Sequence, residues 1–481
     1  MVANPWPASL KGYRVHLVGI KGTGMAALAE ILHHRGALLS GSDGPERFYT
    51  DALLQRLGIP YRERFAAENI EPGIRLVIHS AAYNPAENVE LKAAAERGIP
   101  LLSYPQALGE LSAGADSSGV AGTHGKTTTT ALAGVLLGAL DLPVTVLAGS
   151  EVAGFGGRCT LIRGERYFVA ETCEYRRHFL HFHPQRLVLT GVEPDHLDYF
   201  RDLEDVLDAF TGYALLLPPK GSLIFCHDDA GARQVVERLR RSRADLRLLP
   251  YGLSAPGPFR LERLSTGAGA TRFGLAGLPG EFLLPLPGRH LAADAAAALA
   301  LAVELARREG REARGEDLER MRQALAGFRG SRRRSEVVGE ARGVLFVDDY
   351  GHHPTEIRAT LEGLRSFYPG RRLLVDFMPH TYSRTAALLD DFARCFESAD
   401  QVILHRIYAS AREQAGGQVD GRTLFREVSR RHPAVRYFEE PLDCVGPLAG
   451  ELREGDLFVT MGAGDNWKVG RELLRQLGGT A

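Results

Sequence analysis

Apolar positions along the chain follow a strand–turn–helix rhythm that restarts twice. Tyr13-Arg-Val-His-Leu-Val18 reads as a buried strand, a glycine turn follows, and Met25-Ala-Ala-Leu-Ala-Glu-Ile-Leu32 continues as a helix, the opening of a βαβ unit. Apolar runs at 37–43 and 75–80 carry the alternation to about residue 112. The small polar stretch Ala113-Gly-Ala-Asp-Ser-Ser-Gly119 then predicts a boundary or the approach to a loop. A middle region holds strand-like runs at 167–170 and 186–190 and closes on an alanine-rich helix over 292–307. From Val344 the rhythm begins again, with strands predicted at 344–347, 373–377, 402–404 and 457–460. The pattern predicts an α/β protein of three domains, residues 1–112, 113–327 and 328–481, and a chain of this length exceeds what one hydrophobic core organises.

Composition narrows the setting. Hydrophobic residues make up 44% and charged residues 24%, ordinary globular usage, and no apolar run reaches the roughly 18 residues of a membrane span. The N-terminal segment lacks a basic stretch followed by an apolar one, so a cytoplasmic protein away from membranes is expected. With 58 basic against 59 acidic side chains, no global field gathers nucleic acid, and any anionic ligand must be held locally. The five cysteines include no C-x-x-C pair and read as reduced thiols rather than as disulfides or a structural zinc site.

The densest chemistry lies in Gly122-Thr-His-Gly-Lys-Thr-Thr-Thr129, which runs directly into a helical stretch. Glycines let backbone N–H groups close round phosphate oxygens, and a helix N-terminus adds partial positive charge where the anion sits. Lys126 then reaches the β- and γ-phosphates and the Thr127 hydroxyl ligates Mg²⁺. Val120 stands where the longer phosphate-loop spacing wants glycine, so the match is the shorter G-x-x-G-K-T. A second loop, Gly19-Ile-Lys-Gly-Thr-Gly24, resembles a dinucleotide fingerprint in which Asp43 accepts a ribose hydroxyl. Its glycine spacing departs from the NAD pattern, and the diphosphate of another nucleotide satisfies the same physics.

Two polar loops follow strands of the middle region, Glu171-Thr-Cys-Glu-Tyr175 and Glu193-Pro-Asp-His-Leu-Asp198, and offer Glu174 and His196 as metal ligands beside Thr127. The last region supplies Asp348-Asp-Tyr-Gly-His-His-Pro354 and Met378-Pro-His-Thr-Tyr-Ser-Arg-Thr385 after successive strands, a cleft for a charged small substrate. Arg384 suits a carboxylate, with His352 as its companion; the alternative is a structural pairing of Arg384 with Asp390 or Asp391. Adjacent histidines on extended chain point opposite ways, so His352 and His353 do not share one metal site. The run Arg332-Arg-Arg334 reads equally well as a solvated charged face.

Taken in order, His16-Leu-Val-Gly-Ile-Lys-Gly-Thr-Gly-Met25, the 122–128 loop, Asp195-His-Leu-Asp198, Asp349-Tyr-Gly-His-His-Pro-Thr-Glu356, Pro379-His-Thr-Tyr-Ser-Arg-Thr385 and Met461-Gly-Ala-Gly-Asp465 resemble the Mur ligase family over nearly the whole chain. The resemblance implies an N-terminal Rossmann-like domain for a UDP-sugar, a central P-loop-type ATPase domain and a C-terminal Rossmann-like domain that closes over ATP and the incoming amino acid. It implies ATP and Mg²⁺ as cofactors and, among the family's members, most resembles the one acting on UDP-N-acetylmuramate and L-alanine through an acyl phosphate. Oligomeric state is expected to be monomer or homodimer.

Carried onto this sequence, the nucleotide is met by Gly122, Thr123, His124, Gly125, Lys126, Thr127, Thr128, His290, Asp294, Arg334 and Asp349. The UDP-sugar and amino acid are met by Gly19, Gly22, Thr23, Gly24, Asp43, Ser80, His352 and Arg384, and the catalytic set is Lys126, Glu174, His196, His352 and Arg384. The chain departs from the family at Cys173, where an acidic residue is usual, at Leu291 and Asp294, where asparagines are usual, and at Thr381, which replaces an arginine. Competing expectations are a recycling ligase that adds a preformed tripeptide, an NAD-dependent oxidoreductase using Gly19–Gly24 and Gly462-Ala-Gly464, and a nucleotide-gated binding protein.

Overall fold

The computed structural model describes residues 6–267, 269–409 and 419–480, and its strands form three sheets met in chain order. The first is parallel, with β1 (Arg14–Val18), β2 (Leu38–Ser42), β3 (Tyr61–Arg62), β4 (Leu76–His79) and β5 (Leu101–Ser103) in the order β3-β2-β1-β4-β5. Its strand order reverses at β1, so the glycine loop after β1 opens at a crevice where sheets of this kind take ligands. Gly19 sits at φ +82°, with the Tyr83 ring and Ser80 against the space a side chain would need.

The second sheet has ten strands: β6 (Asp116–Ala121), β7 (Val144–Val152), β8 (Arg158–Ile162), β9 (Tyr167–Glu171), β10 (Arg186–Leu189), β11 (Ser222–Cys226), β12 (Arg247–Gly252), β13 (Phe259–Gly267), β14 (Ala270–Leu275) and β15 (Leu278–Leu284). They lie in the order β15-β14-β13-β12-β11-β10-β6-β9-β7-β8. Of the small polar stretch expected to mark a boundary, residues 113–115 lead out of the preceding helix and residues 116–119 open β6, the buried central strand between β9 and β10. Its serine side chains are satisfied inside the fold: Ser117 donates to the Ser112 carbonyl at 2.7 Å and Ser118 accepts from Arg186 at 3.0 Å. Polarity that looked like a loop is here internal hydrogen bonding. The antiparallel extension β13–β15 carries no motif and escaped the sequence reading.

The third sheet comprises β16 (Glu336–Ala341), β17 (Val344–Asp349), β18 (Arg372–Phe377), β19 (Gln401–Leu404), β20 (Val435–Tyr437) and β21 (Asp456–Met461), in the order β16-β17-β21-β18-β19-β20, parallel except for β16. The segment leading into it is the arginine run, and it is not a solvated face. Arg332 pairs with Glu151 at 2.9 Å and lies over the Tyr49 ring of the first unit. Arg333 bonds Asp348 and the Gly462 carbonyl in the third unit, while Arg334 lies over the Tyr350 ring and 3.7 Å from Glu356. Three consecutive arginines therefore tie all three units together. No helix among the described residues is long and apolar enough to cross a membrane.

The helix Arg289–Arg308 packs on the phosphate-loop helix Lys126–Ala139, and its buried face is largely alanine. Short side chains let the two backbones approach and hold the loop's helix in place, an arrangement with no slack for added volume. Ala296→Leu is expected to destabilise the protein by about 1–3 kcal/mol through overpacking, read as a lower midpoint in urea.

Candidate active site

The mouth of the central sheet, where β10, β6 and β9 end side by side, collects the phosphate loop and the two polar loops. Gly125 adopts φ +74° as it caps the helix Lys126–Ala139, and the Asp294 carboxyl fills the space its side chain would take. The loop is pinned from the β10 side: Thr123 N–H donates to the Gly191 carbonyl at 2.9 Å, and Glu193 N–H donates to the Thr123 hydroxyl at 2.9 Å. The Lys126 ammonium folds back onto the loop, 2.5 Å from the Gly122 carbonyl and 3.0 Å from Glu174. Burial pulls an ammonium's pKa down, but Glu174 beside it prevails and holds Lys126 above its usual range. Glu174 is itself buried, which would raise it; Lys126 and His196, whose Nε2 lies 3.5 Å away, hold it below the ordinary carboxylate range. Glu174 and His196 thus offer a carboxylate and an imidazole beside the lysine, and Thr127 follows it in the first turn of the helix.

The third unit closes on this mouth through its first two strand-end loops. His124, in the phosphate loop, has its Nε2 3.2 Å from Glu193 and its Nδ1 3.1 Å from Glu356 of the helix Pro354–Phe367. Burial opposes charge on the ring, but these two carboxylates push it up to about 10, so His124 is an imidazolium at neutral pH. Thr355 donates to the same Glu193 at 2.8 Å, and the His353 ring packs on His124. His352 turns the other way, toward His380 and Tyr350, and burial with Arg384 nearby pushes it down to about 3, leaving it neutral.

Arg384 does not pair with Asp390 or Asp391. Its guanidinium crosses the interface and donates from Nε at 2.9 Å and Nη2 at 2.7 Å to Asp195, with Nη1 3.0 Å from His380 Nδ1. Both members of the pair are buried. His196 and Thr381, in the two loops that meet here, sit at φ +52° and +67°, a left-handed backbone that costs energy outside glycine and that packing must impose.

In the first unit, Asp43 is bonded within the glycine loop itself. Its Oδ2 accepts from Lys21 N–H at 2.7 Å and its Oδ1 from Gly44 N–H at 2.9 Å and the Tyr83 hydroxyl at 3.4 Å, so the carboxylate braces the glycine loop from beneath. Lys21 is wholly buried and adds to the brace by donating to the Gly44 and Glu46 carbonyls and to Glu63. Gly22 precedes the helix Thr23–His34, Thr23 accepts from Tyr49, Gly24 faces the Tyr104 ring, and Ser80 lies against Gly19.

A cleft of about 290 Å³ runs from the phosphate loop between the second and third units. His124, Gly125, Thr128, His290, Asp294, Arg334 and Asp349, assigned to a nucleotide from sequence, all line it. Asp349 accepts from Ser335 and Gly351 N–H groups, both at 2.7 Å, and so fixes the turn beside the linker. Glu193, Glu356, Asp195 and Tyr251 were missed as site residues. The first three stood inside quoted motifs, yet nothing in one sequence told which carboxylates bridge between units.

The chain belongs to the Mur ligase family. Family profiles described as the Mur ligase catalytic domain, the Mur ligase middle domain and the glutamate ligase domain match residues 14–115, 120–302 and 333–464. The UDP-N-acetylmuramate–L-alanine ligase of Treponema pallidum (strain Nichols) is 52% identical over 467 residues, 97% of each chain. That of Desulfitobacterium hafniense (strain Y51) is 40% identical over 96% of this chain and 99% of its own. The crystal structure of UDP-N-acetylmuramate–alanine ligase from Thermotoga maritima shares the fold, with a TM-score of 0.77 at 24% identity over 96% of this chain and 98% of its own.

The buried pair across the interface makes a specific demand on mutants. Arg384→Ala or Asp195→Asn leaves one buried group without its partner and is expected to cost about 3–5 kcal/mol. The double variant is expected to cost no more than the worse single one, measured as a coupling energy in a double-mutant cycle by denaturant unfolding. Arg384 holds Asp195 far below the usual carboxylate range, so the pair's contribution is present at neutral pH and disappears only in strong acid. Full additivity would remove the interface role.

Proposed function

We propose that this protein is an ATP-dependent ligase that joins L-alanine to the lactyl carboxylate of UDP-N-acetylmuramate, a step in building peptidoglycan precursors. The observation that carries the reading is the phosphate loop, with Lys126 and the Thr127, Glu174 and His196 donors, at a sheet mouth between a glycine-loop unit and a closing third unit. The strong likeness to alanine ligases over almost all of both chains supports it and disfavours the tripeptide ligase. A phosphate loop with a committed lysine disfavours an oxidoreductase.

In this reading the glycine loop, with Gly19, Gly22, Thr23, Gly24 and Ser80, receives the UDP diphosphate. ATP occupies the cleft lined by His290, Asp294 and Arg334, its phosphates on the N–H groups of residues 122–128. Mg²⁺, held by Thr127, Glu174 and His196, supplies charge neutralisation at the phosphates. A carboxylate oxygen of the muramyl group attacks the γ-phosphorus and ADP leaves, giving an acyl phosphate. Lys126 and Arg334 stabilise the charge that gathers on the phosphoryl oxygens. The alanine amine then attacks the acyl carbon, loses a proton, and phosphate departs with the C–O electron pair. His352, neutral in the third unit's loop near Arg384, is assigned to the amino acid, and the amine's proton passes to water. Arg384 acts as a positioning residue through Asp195.

Phosphate release that requires ATP, UDP-N-acetylmuramate and L-alanine together is the expected behaviour; release without the amino acid, or none, overturns the reading. Lys126→Ala is expected to lower kcat roughly a hundredfold or more with the fold intact by circular dichroism. Glu174→Ala and His196→Ala are each expected to raise the Mg²⁺ concentration needed for half-maximal rate while UDP-sugar affinity, measured by calorimetry, stays within about threefold. Unchanged Mg²⁺ dependence would leave those residues with a purely structural part.

A further inference from the structure

Resting on the nucleotide reading of the cleft, we infer that Asp294 serves it as a neutral carboxylic acid, donating a hydrogen bond to an acceptor atom of the bound nucleotide where a charged carboxylate would repel it. Asp294 lies in the first turns of the helix Arg289–Arg308, is buried, and lines the cleft with its carboxyl pressed against Gly125 of the phosphate loop. Among the described residues no lysine, arginine or histidine nitrogen lies within ion-pair distance of it, whereas Glu174, Asp195 and Glu356 each have one. An ionised carboxylate without such a partner is costly away from water, and more so beside a polyanion. A protonated carboxyl has one donor and one acceptor oxygen, the hydrogen-bonding pattern of a side-chain amide.

The surroundings agree. Burial pushes the Asp294 carboxyl up to about 8, against weaker pulls from Thr129, Arg334 and His124, while Glu356 reinforces the rise. Bound phosphates add further negative charge and raise it more. The other groups that face it titrate elsewhere. On its own helix His290 is pushed down to about 4. On the phosphate loop His124 is raised to about 10. On the far wall Cys226 is raised to about 11 and Tyr251 well above its usual value. Arg334 stays charged throughout.

The test is the affinity for ADP, without divalent metal, by calorimetry from pH 6.5 to 9.5. In the parent protein affinity is expected to be level at low pH and to fall toward tenfold per pH unit above about 8, as binding comes to require uptake of a proton. Asp294→Asn, which carries the amide permanently, is expected to stay within about threefold of the parent at pH 6.5 and to lose the alkaline fall. Asp294→Ala is expected to bind about tenfold or more weakly at low pH. The infrared difference spectrum between the parent and Asp294→Asn at neutral pH is expected to contain the carbonyl stretch of a protonated carboxyl. A level parent profile to pH 9.5, or an infrared spectrum with only ionised carboxylate at this position, overturns the inference while the nucleotide reading stands. Absence of ADP binding at every pH overturns both.

Discussion

The arrangement depends on how one loop of the central unit, the turn after β10, grips the third unit. Glu193 and Asp195 stand two residues apart and point into different contacts: Glu193 bonds Thr355 and, with Glu356, traps the His124 imidazolium, while Asp195 binds the Arg384 guanidinium. Each contact is charge-assisted, and the Asp195–Arg384 pair is also shielded from water, where such bonds are strongest. Together they set the walls of the cleft between phosphate loop and third unit. His124 belongs to the phosphate loop itself, so the loop's conformation and the docking of the neighbouring unit are one structural fact.

This closure also organises charge. Lys126 is held by Glu174, His124 by two carboxylates, and Arg384 by Asp195, so the site gathers cations while keeping each neutralised until substrate arrives. A nucleotide phosphate and a divalent cation can then exchange partners with Lys126 and Glu174 without exposing either buried charge to an apolar surrounding. The arginine run does comparable work for architecture. Arg332 reaches Glu151 and Tyr49, Arg333 the third sheet, and Arg334 the cleft, so the linker senses all three units at once.

The strand–helix rhythm and the loops at strand ends were legible in the sequence because burial and glycine turns leave periodic marks. β1, β10 and the strands of the third unit fall close to where the apolar runs predict them. Within 113–119 the start of the strand was hidden, because Ser117 and Ser118 look like a loop unless their partners Ser112 and Arg186 are known, and the second lies 68 positions away. Asp43 carries a second task that its position at a strand end does not announce, since its two oxygens also accept from Lys21 and Gly44 N–H groups. Arg384 was recognised as a carboxylate binder, and the carboxylate it meets belongs to Asp195 of another unit. Which buried charges pair across an interface is decided by docking, and docking leaves no periodic trace in one chain.

The central claim is that ATP activates the muramyl carboxylate before the amine attacks, and an isotope follows that oxygen directly. UDP-N-acetylmuramate labelled with oxygen-18 in its carboxylate is incubated with Mg-ATP, L-alanine and the protein, and the inorganic phosphate is examined by mass spectrometry. Because the acyl C–O bond breaks as phosphate leaves, one labelled oxygen is predicted in each phosphate released. Unlabelled phosphate accompanying amide product, with the displaced oxygen recovered in water, contradicts the account.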